Sequence, residues 1–362
     1  MEVINATRMK VGYTLGMLPS GRELLVVVIK GTFILPPDGG VVALADEQLP
    51  LVEADTFTGA PGLSSPVHET DYAPVKRSCD VLLIGSAHAP RGRPTARVGI
   101  GLRIGGWQKA FSVVGDRRWT LGASGVHAGA PVDFVSLPIS YDRAFGGTDR
   151  TDPDPARHAA FSPNPVGRGF HPTPDMARLR GRPMPNTEAS NDPVVKPDGH
   201  YRPMALGPIG RNWPPRAAYS GTYDEVWLER HFPFLPSDFD DRYYQSAPAD
   251  QQIPIPEAEQ KVSMVNLTAD GRRSFTLPFF EAPVTVFPTH GRHESLQARL
   301  DTIVFEPDCN RFTMSWRCSR PLRRDLFEVE RVLVGRKGSQ WWQQRESVVF
   351  PILNISPPVE RP

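Results

Sequence analysis

The 362-residue chain carries 41 Lys and Arg against 40 Asp and Glu, with 40% apolar and 22% charged residues. That size and balance exclude wholesale disorder and a disulfide-stapled miniature fold, and scattered basic residues lack the concentrated positive field that nucleic-acid binding needs. The 39 prolines and 31 glycines, against a usual proline share of about 5%, make most elements short and exclude long helical bundles.

The first third reads as strands. Leu24-Leu25-Val26-Val27-Val28-Ile29 is a β-branched run between turn-forming Pro19-Ser20-Gly21 and Pro36-Pro37-Asp38-Gly39-Gly40, which fits a buried strand. Ala96, Val98, Ile100, Leu102 and Ile104 then alternate with Arg97, Gly99, Gly101 and Arg103, the period of a half-buried strand. Gly105-Gly106 turns this strand into another whose Trp107, Phe111 and Val113 share a face.

From residue 131 to 252, Pro, Gly, Asn and Asp are too dense for long elements. The exception is a short amphipathic helix near residues 222–231. Thr222-Tyr223-Asp224-Glu225 matches a capping box, Tyr223, Val226, Trp227 and Arg230 follow at helical spacing, and Pro233 ends the run. Within this stretch Tyr141-Asp142-Arg143-Ala144-Phe145 fits one helical turn, with Tyr141 and Phe145 sharing an inward face. Gly146-Gly147 then permits a left-handed exit.

The last third returns to strands, residues 296–306 and 311–320 flanking the turn Pro307-Asp308-Cys309-Asn310. Leu296, Ala298 and Leu300 share a face of the first, and Phe312, Met314, Trp316 and Cys318 a face of the second. Residues 325–334 and 340–345 read as terminal helices, with Leu326, Val329 and Leu333 as a stripe. The expected fold is mainly β, of α+β type, with antiparallel sheets. It divides into a β-rich part over 1–130, an irregular proline- and glycine-rich middle over 131–252, and a β-rich part over 253–362. Close packing of all three into one unit fits as well.

Catalytic patterns are sparse. Gly99-x-Gly101-x-x-x-Gly105 lies inside an alternating strand, so no helix N-terminus follows to hold a pyrophosphate, and neither a phosphate-binding loop nor Gly-x-Ser-x-Gly occurs. His290 and His293 lack a third ligand, which leaves them as loop residues with no metal. Ser86 and His88 follow the strand at residues 79–84 and read as groups capping backbone at its end. Asp224, Glu225, Asp238, Asp240 and Asp241 read as solvated or helix-capping acids. The expectation is a protein that is not an enzyme and needs no cofactor.

Cys79, Cys309 and Cys318 are odd in number and form no CxxC pair, which fits a reducing compartment. The chain opens with an acid where a signal peptide needs positive charge. Its longest aliphatic run falls far short of the roughly 20 residues that span a bilayer. A cytoplasmic location without membrane contact is expected.

Aromatic residues crowd the end of the middle region: Trp213, Tyr219, Tyr223, Trp227, Phe232, Phe234, Phe239, Tyr243 and Tyr244. Most are expected to form a satellite core under irregular backbone, and the competing reading is a surface that binds protein. The candidate contact residues are Asp142, Arg143, Trp213, Trp227, Phe239 and Tyr243, while Tyr141, Phe145, Gly146 and Gly147 are expected to serve the fold.

Several strings, in order, are similar to a family catalogued as domain of unknown function 2169. They are Gly85-Ser86-Ala87-His88-Ala89-Pro90, Gly115-Asp116-Arg117-Arg118-Trp119, Pro138-Ile139-Ser140-Tyr141-Asp142-Arg143-Ala144-Phe145-Gly146-Gly147 and Asn164-Pro165-Val166-Gly167-Arg168-Gly169. Pro185-Asn186-Thr187-Glu188, Gly207-Pro208-Ile209-Gly210-Arg211-Asn212-Trp213-Pro214, Gly221-Thr222-Tyr223-Asp224 running through Leu235-Pro236-Ser237-Asp238-Phe239-Asp240 to Gln251-Gln252, and Leu300-Asp301-Thr302-Ile303-Val304-Phe305 complete them. The resemblance implies an adaptor or chaperone of type VI secretion, which binds a toxic effector encoded nearby and helps it join spike proteins of the VgrG and PAAR types. It brings no catalytic residues, and the chain stops at 362 without the longer extension, such as pentapeptide repeats, of some relatives. Two other readings stand beside it. A carbohydrate-active enzyme or binding protein would suit the β frame, seven tryptophans and scattered carboxylates, and a structural part of the spike would be secreted.

Overall fold

The apolar run at residues 24–29 forms the middle of a 12-residue strand, Glu23–Ile34, inside a ten-stranded sheet. The structure is a computed structural model that describes residues 1–122, 125–150, 152–172 and 176–346. Leu25, Val27 and Ile29 face the main core, while Leu24, Val26 and Val28 pack against Leu18, Leu51 and Tyr72 on the opposite side. Burial on both faces is the reason this strand is a continuous apolar run and not an alternating one.

Its neighbours come from both ends of the sequence. Lys10–Met17 pairs with it on one side and Arg311–Pro321 on the other, both antiparallel. Beyond Arg311–Pro321 the order continues through Glu294–Glu306, Ala282–Pro288 and Val329–Val334 to Glu2–Asn5. Glu2–Asn5 runs parallel to Val329–Val334, and Cys79–Leu83 parallel to Glu294–Glu306. The expected antiparallel sheets are therefore corrected to mixed ones in a mainly β fold.

A second sheet of five strands orders Thr187–Glu188, Trp107–Val114, Arg97–Ile104, Gln260–Val265 and Arg272–Leu277. The Gly105-Gly106 turn is as expected: Ile104 pairs with Trp107, and Gly105 takes a φ of 54°. Val98, Ile100, Leu102 and Ile104 point into the same core as Phe305, Phe312 and Met314. Phe275 of this sheet meets Phe305 and Phe312 of the large one at 6.4 and 5.8 Å between ring centres. Each such fully buried apolar side chain contributes on the order of 2 kcal/mol. Both sheets thus draw strands from the first and last thirds of the chain.

Two helix expectations at the C-terminal end part company. Ser339–Glu346 is helical, but residues 325–334 are not a helix. They form one 3-10 turn, Leu326–Glu328, and then the strand Val329–Val334. Val329, Val332, Leu333 and Val334 are all buried there. The stripe of Leu326, Val329 and Leu333 fits either period over so short a stretch, and two flanking strands that supply backbone partners decide for β.

The irregular middle is held by side chains where regular ladders are missing. Asn164 donates to the carbonyls of Tyr141 and Phe145 at 2.9 and 3.1 Å, and Asn186 to the Val114 carbonyl at 2.9 Å. Glu188, buried beneath them, takes Arg97 and Arg117, one on each oxygen. The expected helical turn is a 3-10 turn limited to Tyr141–Arg143, followed by Phe145–Gly146 in parallel pairing with Arg168–Gly169. Tyr141 and Phe145 do not share a face. Tyr141 enters the main core edge-on to Trp213 at 5.3 Å, while Phe145 enters a satellite core with Trp119, Phe161 and Met184. Gly146 and Gly147 have φ of 146° and 110°, and a Cβ there would overlap the carbonyl oxygens of Asn164 and Gly167, so both positions need glycine.

Candidate functional site

The expected helix is six residues long, Glu225–Arg230, and Asp224, not Thr222, caps it by accepting the Trp227 amide at 2.8 Å. Thr222 instead gives its amide and hydroxyl to the two oxygens of Asp238, at 2.9 and 2.7 Å, closing the base of a loop. Trp227 is the centre of that loop. Its indole donates to the Phe234 carbonyl at 2.9 Å, and its ring meets Tyr223 and Phe232 edge to face at 4.8 and 5.6 Å.

This helix does not turn an apolar face to the core. Tyr223, Val226, Leu228, Phe232 and Phe234 are all exposed, Leu228 by 60% and Phe232 by 62%. Scattered exposed apolar residues are ordinary, but five within twelve positions around one indole form a patch. The loop is nonetheless firmly seated. Phe234 lies over Gly21, leaving no room for a Cβ there. Arg242 stacks on Tyr219 at 4.1 Å, and Arg77 pairs with Asp241 at 3.0 Å. At its exit, buried Asp80 accepts from Gln245, from the Ser246 amide and hydroxyl, and from Lys76, all within 2.9 Å.

Asp224, Asp238 and Asp240 are capping groups, as expected, while Asp241 pairs with Arg77. Hydrogen bonds from Thr222 hold Asp238 below the usual carboxylate value, and those from the Arg242 side chain and amide lower Asp240 to about 2. They therefore stay charged, and residues 223–238 carry a surplus of acid, Asp224, Glu225, Glu229 and Asp238 against Arg230, while Asp240 is paired with Arg242.

The structure separates the sequence-derived contact residues. Trp213 is 1% exposed, in the main core, and offers no surface. Asp142 is turned inward, accepting from Thr58 and the Ser65 amide at 2.7 and 3.0 Å. Arg143 is half-buried, bonded to Asn186 at 3.2 Å and 3.8 Å from Asp116. Phe239 and Tyr243 pack with Tyr244 as a supporting layer, and burial first, then Asp241, raises the Tyr244 hydroxyl to about 12. Of the six, Trp227 alone belongs to the exposed cluster. Of the outward residues, Tyr223, Phe232 and Phe234 were weighed in the sequence as part of a protein-binding surface but not chosen as contacts, and Val226 and Leu228 were not among the candidates. Leu228 carried the signal, since it falls off the stripe of Tyr223, Val226 and Trp227.

Elsewhere, Ser86, His88 and the charges of one cavity are already engaged. Ser86 and His88 do not cap backbone: both reach Asp308, Ser86 Oγ at 2.8 Å and His88 Nε2 at 3.1 Å. Carboxylate sharing leaves the imidazole off the serine hydroxyl, where a general base would have to sit. His293 packs against Phe287 and Trp342, and among the described residues no three His, Cys, Asp or Glu side chains gather as metal ligands. A cavity of about 200 Å³ beside the large sheet is lined by Lys30, His68, Asp71, Lys76, Glu306 and Arg311. Its charges are internally paired, Lys30 with Asp71 at 2.8 Å and Arg311 with Glu306 at 2.8 Å, and burial holds His68 below the ordinary histidine value.

A family model described as "Uncharacterized protein conserved in bacteria (DUF2169)" matches residues 20–317. The chain belongs to the DUF2169 family. The match takes in the five-stranded sheet, the satellite core and the whole exposed loop of this DUF2169 protein, and leaves Glu2–Asn5, Lys10–Met17 and Val329–Val334 of the large sheet outside it. No curated protein and no solved structure matches it. No helix among the described residues is long and apolar enough to cross a membrane.

Proposed function

We propose that this DUF2169 protein is an adaptor that binds a toxic effector of a type VI secretion system in the cytoplasm and assists its loading onto a VgrG- or PAAR-type spike. The observation that carries the reading is the Trp227 loop, which holds five large apolar side chains in water on a seated scaffold. A pre-ordered apolar patch loses little entropy on docking, and exposed rings within a polar rim are the usual anchors of a protein interface. The pathway itself rests on the family resemblance.

Co-expression with each effector encoded beside the gene, followed by size-exclusion chromatography, tests the proposal. Co-elution is expected with one of them. Leu228→Ser combined with Phe232→Ser should abolish it while the melting temperature holds, because both side chains are exposed. Separate elution of every neighbouring effector at micromolar concentration would overturn the adaptor reading, and recovery of the protein itself in culture medium without lysis would favour a spike component.

A further inference from the structure

A second surface opens at the same end of the large sheet. Arg22, next to the glycine beneath Phe234, donates to the Leu322 carbonyl at 2.7 Å, and Arg323 and Arg324 follow directly. They line an open cleft of about 650 Å³ with Pro288, Arg292 and Phe327. Phe327 is 88% exposed, yet its backbone is fixed. Its amide donates to Asp325 at 2.9 Å, and its carbonyl accepts from the Thr289 hydroxyl at 2.9 Å. Among the described residues, this large ring is held outward on ordered backbone and stays uncovered.

Charge identifies what the cleft takes. Glu294 and Glu328 both pair with Arg320, at 2.7 and 2.6 Å, and the second Glu328 oxygen accepts the amides of Arg323 and Arg324. Asp325 is occupied by the Phe327 amide. The acids of the cleft are thus engaged, whereas the guanidiniums of Arg292, Arg323 and Arg324 form no ion pair among the described residues. Arg323 lies near enough to Glu294 to help keep that carboxyl low, but the carboxylate itself belongs to Arg320. The cleft therefore has a positive surplus, in contrast to the acidic surplus of residues 223–238 around Trp227.

We propose that this cleft is a second docking surface, which takes an acidic segment of a partner protein, carboxylates on Arg292, Arg323 and Arg324 and an apolar side chain on Phe327. Guanidiniums recognise carboxylates with paired hydrogen bonds, and arginine clusters are a known mode of acidic-motif recognition. The inference rests on the adaptor reading in calling for a protein partner, but on different side chains. Two surfaces of opposite charge at one end of the sheet allow an adaptor to hold two unlike segments side by side.

The test titrates the full chain against a short fluorescein-labelled peptide of alternating Glu and Leu with one central Phe, read by anisotropy. The same peptide with Lys in place of Glu, and a labelled single-stranded DNA of equal length, are the comparisons. The acidic peptide should bind, more weakly as salt rises, and Arg323→Glu with Arg324→Glu should weaken it on the order of tenfold or more. Phe327→Ala should weaken it with the melting temperature unchanged, and Leu228→Ser with Phe232→Ser should leave it intact. No binding, equal binding of the Lys peptide, or tighter binding of the DNA would overturn the proposal. So would self-association that the two arginine reversals abolish, which would make a second copy the occupant. Co-elution of an effector with a failed peptide titration would sink the cleft and spare the adaptor; the converse would do the reverse.

Discussion

Phe145, Phe161 and Phe170 close on one another at 5.0 to 6.2 Å, and Tyr223, Trp227 and Phe232 meet at similar distances, yet the first group is largely buried and the second largely in water. Both groups lie in the same proline-rich middle of the chain. What differs is the backbone around them. Phe145 sits on a strand pair whose neighbours Asn164 and Gly147 lock other loops across it, so its ring is enclosed from several sides. The Trp227 loop closes on itself through Thr222, Asp238 and the Phe234 carbonyl. A self-closed loop satisfies its polar groups without covering its outer face, and ring contacts alone therefore do not distinguish a small core from a docking surface.

The largest expected effect lies on the buried side. Phe145→Ala should destabilise the protein by about 3–5 kcal/mol, whereas Phe232→Ala should cost less than about 1 kcal/mol. Thermal or denaturant unfolding of the two variants measures the difference directly. Equal losses would erase the distinction between the regions.

Arg143→Ala comes next. Its partners Asn186 and Asp116 belong to the fold, and the guanidinium is about one third exposed, so the loss should be about 1 kcal/mol. Effector binding should fall only in proportion to lost folded protein. Weaker binding at unchanged melting temperature would make Arg143 a contact residue and extend the interface to the buried side.

The smallest effect is a titration. Asp240 sits near about 2, below the roughly 3.9 of an unfolded aspartate. Its contribution is complete above the unfolded value and lost as pH falls towards the folded one. Asp240→Asn should therefore flatten the stability profile slightly between pH ~4 and ~2, and carboxyl NMR should show the low midpoint. A normal midpoint would mean that Arg242 is not seated and the loop base is loose.

Much of the β framework was readable because burial leaves a period in the sequence. Val98 to Ile104 alternate, and the apolar run at residues 24–29 has no polar face because the strand has none. The Trp227 helix was readable in place but not in role, since Tyr223, Val226 and Trp227 at helical spacing look the same whether the stripe meets a core or solvent. Trp213 and Trp227 show the same limit: one is buried against Tyr141 and the other props an exposed loop, and nothing local to either tryptophan says which.

By itself the sequence determined the strand character of both ends, the two hairpins and the glycines at 146 and 147, because local sterics and side-chain period act over neighbouring residues. Only the tertiary structure decided that residues 329–334 become a strand, that parallel pairs join the first and last thirds, and that Phe232 and Phe327 stay uncovered among the described residues. Those outcomes depend on which distant segment supplies a backbone partner or a covering side chain, and that choice is made by the packing of the whole chain.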